Sequence, residues 1–132
     1  MLVWGIHSMG LLETLATTLE EANLATRGTD LFLGLLPDAP DAALALFETA
    51  GQPPSYIHNQ PWPALDRPGV QLCCRDDDYA QGRDRMQAAY EALCDSTSYV
   101  AIQPIQPPFA LARDERHRPR WAVNFVVTQL GG

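Results

Sequence analysis

The side chains able to do chemistry fall into four groups. Cys73 and Cys74 stand side by side, with Cys94 as a third thiol. A nucleophilic cysteine needs a base or an electropositive setting beside it, and only Arg75 is near in sequence. On a strand, adjacent cysteines point to opposite faces, so buried, reduced thiols are expected. His7, His58 and His117 lie far apart, without the spacing of a metal site. Asp76-Asp77-Asp78 supplies the carboxylates that a hard cation wants, but consecutive side chains diverge, and capping of a following helix is the simpler reading. Arg113, Arg116, Arg118 and Arg120 form the basic cluster, suited to phosphate, to an acidic protein patch or to plain solvation.

None of these groups amounts to an enzyme signature. There is no Gly-rich phosphate loop, no HExxH, no GxSxG and no EF-hand loop. No catalytic residue, cofactor or metal is expected. An enzyme or ligand-binding domain would have to assemble its site from His58, Trp62, the acidic cluster and His117. The net charge of -7, with nine basic residues that are all arginine, argues against a surface for duplex DNA. With 132 residues, 46% of them hydrophobic, the chain is expected to form one domain around an apolar core. Its first residues lack a basic n-region and meet Glu13, Glu20 and Glu21 early, so no signal peptide or membrane span is expected, and the protein should be soluble and cytoplasmic when made.

The elements that must position these groups follow from periodicity. Leu11, Leu12, Leu15, Ala16, Leu19 and Ala22 recur at helical spacing, predicting an amphipathic helix over about 9 to 25, with Ser8 as a cap and Gly28 as a stop. Residues 30–37 read as a short buried strand closed by Pro37, and residues 42–47 as a second strand paired with it, although an Ala-rich run equally suits a short helix. Between Gly51 and Gly69, Pro53, Pro54, Pro61, Pro63 and Pro68 predict a loop. Its Tyr56, Ile57, Trp62 and Leu65 suit contact with the domain or a neighbouring subunit. Residues 69–75 read as a strand with Val70, Leu72 and Cys74 on one face. Asp78 and Gln81 fit a capping box for a helix near 78 to 95, whose stripe is Tyr79, Gly82, Met86, Ala89, Tyr90 and Leu93, with Arg83, Asp84, Arg85 and Glu91 left for solvent or partners. Tyr99 to Ile105 predicts a strand, and Phe109 to Ala112 a hairpin with the alternating Trp121–Thr128 segment across the charged tip. The fold class is α+β: a mixed, mainly antiparallel sheet, two packed amphipathic helices and a terminal β-hairpin.

Taken in order, Asp30-Leu-Phe-Leu-Gly-Leu-Leu-Pro-Asp-Ala-Pro40, Phe47-Glu-Thr-Ala-Gly51, Arg67-Pro-Gly-Val-Gln-Leu72, Arg75-Asp-Asp-Asp-Tyr79, Gln103-Pro-Ile-Gln-Pro-Pro108 and Trp121-Ala-Val-Asn-Phe-Val-Val127 resemble the tail terminator or minor capsid family of long-tailed bacteriophages. The resemblance implies a structural virion protein without catalytic residues. Its subunits would form a ring, commonly a hexamer, on the head-proximal end of the tail tube, with the tube protein and the head-tail connector proteins as partners. A head-completion or stopper protein is the alternative within the same class. Genomic DNA would pass through the lumen unbound, which the acidic balance suits because a negative wall repels phosphate. Arg113, Arg116, Arg118, Arg120, Tyr56 and Trp62 are the candidate assembly contacts, and charge reversal at Arg116 and Arg118 is expected to weaken assembly while leaving the subunit folded.

Overall fold

The computed structural model describes residues 10–56, 63–96, 99 and 101–130. Helix α1 spans Leu11–Glu21 and buries Leu15, Ala16 and Leu19, the centre of the predicted stripe. It stops well before Gly28. Asn23 takes the left-handed conformation (φ 59°), which lets Asn23 N–H donate to Glu20 O and Leu24 N–H to Leu19 O. This pair of bonds satisfies orphan carbonyls at the helix end. Gly10 occupies the cap position, and Ser8 lies outside the described residues.

Strand β1, Leu31–Leu33, runs parallel to β2, Ala43–Tyr56, with Leu31 opposite Leu44 and Leu33 opposite Leu46. The Ala-rich run is therefore a strand, paired as expected. Its length is not as expected. β2 continues through the proline-rich region and returns as β3, Pro63–Arg75, so a long antiparallel hairpin replaces most of the predicted loop. Prolines are tolerated because the ladder is irregular where they sit. The β2/β3 register shifts between Thr49 and Gln52, between Gln52 and Ser55, and between Ser55 and Tyr56. Beyond Leu46, β2 has no paired neighbour on its β1 side among the described residues, so Pro53 and Pro54 forfeit no ladder bond there. Two glycines make the first slip possible. A Cβ on Gly51 would strike the carbonyl oxygen of Arg67, and one on Gly69 would lie 2.5 Å from that of Ala50.

Helix α2, Tyr79–Cys94, follows β3 directly, and then come β4, Ala101–Pro104, β5, Phe109–Leu111, and β6, Arg120–Leu130. The sheet order is β1-β2-β3-β6-β4, with β5 also paired to β6, and only the β1/β2 pair is parallel. Both the α+β class and the β5/β6 hairpin were thus legible. Both helices cover one face of the sheet. Leu44, Leu46, Val70, Leu72, Cys74, Trp121, Val123, Phe125 and Val127 meet Leu15, Leu19, Met86, Ala89 and Leu93 in the main core. Each large apolar side chain so buried contributes roughly 1.5–3 kcal/mol relative to exposure. On the opposite face, Ala45, Cys73 and Ala122 form a row of small residues against which Leu36, Phe47, Phe109 and Leu111 pack. Cys73 and Cys74 therefore do serve opposite faces.

Helix α2 departs from expectation on its flanks. Tyr79 is half exposed, tilted against Trp121, rather than a core residue. Arg85 is drawn inward: its Nη2 lies 2.7 Å from Asp30 Oδ2 and also donates to Leu24 O, tying α2 to the entry of β1.

Candidate assembly surfaces

The charged tip between β5 and β6 is organised by one carboxylate. Asp114 Oδ1 accepts from the backbone N–H groups of Arg116 and Arg118, both at 2.9 Å, and its Oδ2 accepts from Arg118 Nε at 2.8 Å. An Asp that bonds the backbone two residues on is ordinary turn chemistry. His117 completes the turn with φ 63° and donates its N–H to Asp114 O. Its carbonyl accepts from Arg113.

Arg118 then reaches across to the turn at residues 37–41. Its Nη1 donates to Asp38 O and to Asp41 Oδ1, at 2.7 and 2.9 Å, and its Nη2 donates to Asp38 Oδ1 at 2.7 Å. Arg116 Nη1 takes the other Asp38 oxygen at 2.9 Å. From below, the buried Arg75 donates through Nη2 to Pro37 O and Pro40 O, both at 2.6 Å, and through Nε to Asp41 O. Three guanidinium groups thus clasp one acidic turn. The Arg118 hydrogen bonds hold the Asp38 carboxyl below its ordinary range; at Asp114 burial pushes upward, but bonds from Arg118 outweigh it and the net shift is also downward.

This arrangement corrects the reading of the cluster as four surface charges. Arg118 is only 6% exposed and spends its donors inside the chain, so reversing its charge removes the bonds of the clasp as well as a charge at the tip. Arg113, Arg116 and Arg120 remain at or near the surface, with Arg120 Nε bonded to Ala112 O.

The acidic run at α2 caps, as expected. Asp78 Oδ1 accepts from Gln81 N–H at 3.0 Å. The reciprocal bond of a capping box goes elsewhere, since Asp78 N–H donates to Asp76 Oδ1 at 2.8 Å. Asp76 is buried, and that burial pushes its carboxyl up. No group of His, Cys, Asp and Glu suited to a metal ion occurs among the described residues. Burial pushes the Cys73 thiol up to about 11 and the Cys74 thiol up to about 12, the opposite of what a nucleophile needs. His58 and Trp62, the other residues from which an enzymatic site would have to be assembled, lie outside the described residues, as does His7. Among those described, no helix is long and apolar enough to cross a membrane.

Residues 18–130 match the family described as bacteriophage tail terminator protein. The chain belongs to the bacteriophage tail terminator family. The match spans both helices' core residues from Thr18 onward and all six described strands. No curated protein matches the sequence. A tail terminator is a structural component of the virion tail, which accords with clusters that cap, clasp and pack.

Two further surfaces of this terminator stand apart from the clasp. The first is the hairpin arm of β2 and β3, which carries Tyr56 at the end of β2; Trp62 lies beyond it, outside the described residues. The second went unread in the sequence. On the sheet face away from the helices, a cleft of about 390 Å³ is lined by Arg67, Gln52, Gln103, Thr128 and Ile105, among others. These residues come from β2, β3, β4 and β6 and the turn after β4, so only the strand order brings them together. In the sequence Arg67 falls within the proline-rich stretch that predicts a loop, where a lone arginine signals nothing. The clasp had one readable signal, the Asp38 and Asp41 pair opposite a run of four arginines.

Proposed function

We propose that the protein assembles as a ring, a hexamer in the reading that its family resemblance implies, on the head-proximal end of the phage tail tube. There it stops tube growth and offers the joining surface for the head-tail connector proteins. The observation that carries this reading is the family match over residues 18–130. The open outer edge of β2 beyond Leu46 and the exposed tip bearing Arg113 and Arg116 supply the non-identical surfaces that a cyclic, head-to-tail assembly requires. Arg113, Arg116, Arg120, Tyr56 and Trp62 make the contacts in this reading, while Arg118 positions the tip. The net charge of -7 lets genomic DNA pass through the lumen without adhering.

Native mass spectrometry of the purified protein, with electron microscopy of its phage's tail tubes after mixing, tests this directly. A ring in solution, or a cap at a single end of each tube, is the expected result. A protein that stays monomeric and ignores tube ends would overturn it.

A further inference from the structure

Arginine use in this acidic chain is nearly closed. Arg27 pairs with Glu20, Arg83 with Asp84, Arg85 with Asp30, Arg116 with Asp38, and Arg118 with Asp38, Asp41 and Asp114. Arg75, Arg113 and Arg120 donate to backbone carbonyls. Among the described residues, Arg67 is the one arginine with neither an ion pair nor a side-chain hydrogen bond, and its Nε is a buried donor without an acceptor. A buried, unpaired donor is costly, more so on a charged group. Such a donor calls for an explanation, and a group supplied from outside the folded subunit is one.

The surroundings of Arg67 define that something. Gln52, Gln103 and Thr128 add amide and hydroxyl groups to the same cleft, and Ile105, 59% exposed, stands at its wall. A planar guanidinium flanked by neutral hydrogen-bonding groups and an apolar side chain fits a carboxylate on a short aliphatic stem. Phosphate of a nucleic acid fits poorly, because this is a lone cation on a chain of charge -7. The chain itself offers the matching group in surplus. Glu21, Glu48, Asp77, Asp95 and Glu115 are exposed, and none is in an ion pair among the described residues.

We infer that the Arg67 cleft is one half of a subunit-subunit contact, completed by an aspartate or glutamate of a second copy of this chain. The inference rests on the ring reading and adds to it a specific ion pair, the cleft being incomplete without the neighbour. Subunits that each lack one acceptor and carry excess carboxylates complement one another around a closed ring.

The test compares wild type, Arg67→Glu and Gln103→Glu by native mass spectrometry over a concentration series, with and without tail tubes, and circular dichroism verifies folding. Gln103→Glu keeps Arg67 but places a competing carboxylate inside the cleft. Both variants should remain folded and need about tenfold or more protein to reach half-assembly. Reversing one of the five exposed carboxylates to arginine should restore assembly of Arg67→Glu. Rings forming equally well in all three proteins would overturn the inference while leaving the ring reading intact. Rings that form normally but no longer cap tubes would also overturn it, assigning the cleft to the tube protein. A wild type that never assembles would remove both.

Discussion

Replacing Gly82 by alanine sets two effects of known sign against each other. Gly82 is the fourth residue of α2, and at a helix position alanine is favoured over glycine by up to about 1 kcal/mol. Propensity alone therefore predicts stabilisation. Packing predicts the reverse. A Cβ on Gly82 would lie 2.7 Å from both Trp121 Cη2 and Asp76 Cβ, and nearer still to Trp121 Cζ3. Trp121 is 5% exposed and stacked obliquely on Tyr79, with ring centroids 5.3 Å apart, so its ring has little freedom to retreat. If the helix lifts instead, the Cys74 Sγ bond to Gly82 O and the Asp76 bond that anchors the cap are strained. Overpacking a filled core costs about 1–3 kcal/mol, and three approaches under 3 Å put this site at about 2–3 kcal/mol, so against the propensity gain the net change is a loss of roughly 1–2 kcal/mol. For a domain of this size that lowers the melting temperature by about 3–10 °C. Thermal denaturation followed by circular dichroism measures it. Introducing Gly82→Ala into a Trp121→Leu background, where the clashing ring atoms are gone and only the approach to Asp76 Cβ remains, should shrink the loss. A melting temperature that is unchanged or raised by Gly82→Ala in the wild type would refute the packing argument.

Four further outcomes follow from the same structure. Asp78→Ala removes the acceptor for Gln81 N–H and should destabilise the protein by about 1 kcal/mol in chemical denaturation, with Asp78→Asn nearly neutral. Asp38 and Asp114 are held below the ordinary carboxylate value of 3.8, so their stabilisation is complete above that pH and is lost as pH falls through their lower folded values. Asp38→Asn should therefore reduce the difference in melting temperature between pH 7 and pH 3. Asp76 works oppositely, because burial raises its carboxyl, so its charge costs stability at pH 7; Asp76→Asn should stabilise there and change little at pH 3. With burial holding Cys73 and Cys74 up near 11 and 12, iodoacetamide at pH 8 should label the less buried Cys94 first in the native protein, and peptide mapping that found Cys74 modified as fast would contradict its burial.

Where sequence and structure agree, the determinants are local. The Asp78 cap, the alternation from Trp121 to Val127 and the opposite facing of Cys73 and Cys74 depend only on helical and strand periods, which the chain carries at each position. The failures share a different cause. Proline was read as excluding a strand between Gly51 and Gly69, yet an edge segment with a slipped register asks little of the residues that lack N–H groups. Helix α1 ended early because Asn23, not the glycine five residues on, took the left-handed turn. Arg118 and Arg85 looked solvent-facing because a charged residue's partner is set by tertiary approach, here from Asp38, Asp41 and Asp30 far away in sequence. The Arg67 cleft is the extreme case. Its walls come from four strands and a turn, and no window of the sequence contains it.

The three register slips in the β2/β3 arm have one more implication. An incoming strand extends a sheet by reading a regular series of outward N–H and C=O groups; here the pairing with β3 slips between Thr49 and Gln52, between Gln52 and Ser55 and between Ser55 and Tyr56, and Pro53 and Pro54 carry no N–H. The edge is open yet cannot be copied strand after strand. Such an edge is a poor template for further strands of its own kind, so the arm can stay open to a partner without inviting the unlimited sheet growth that a regular edge permits.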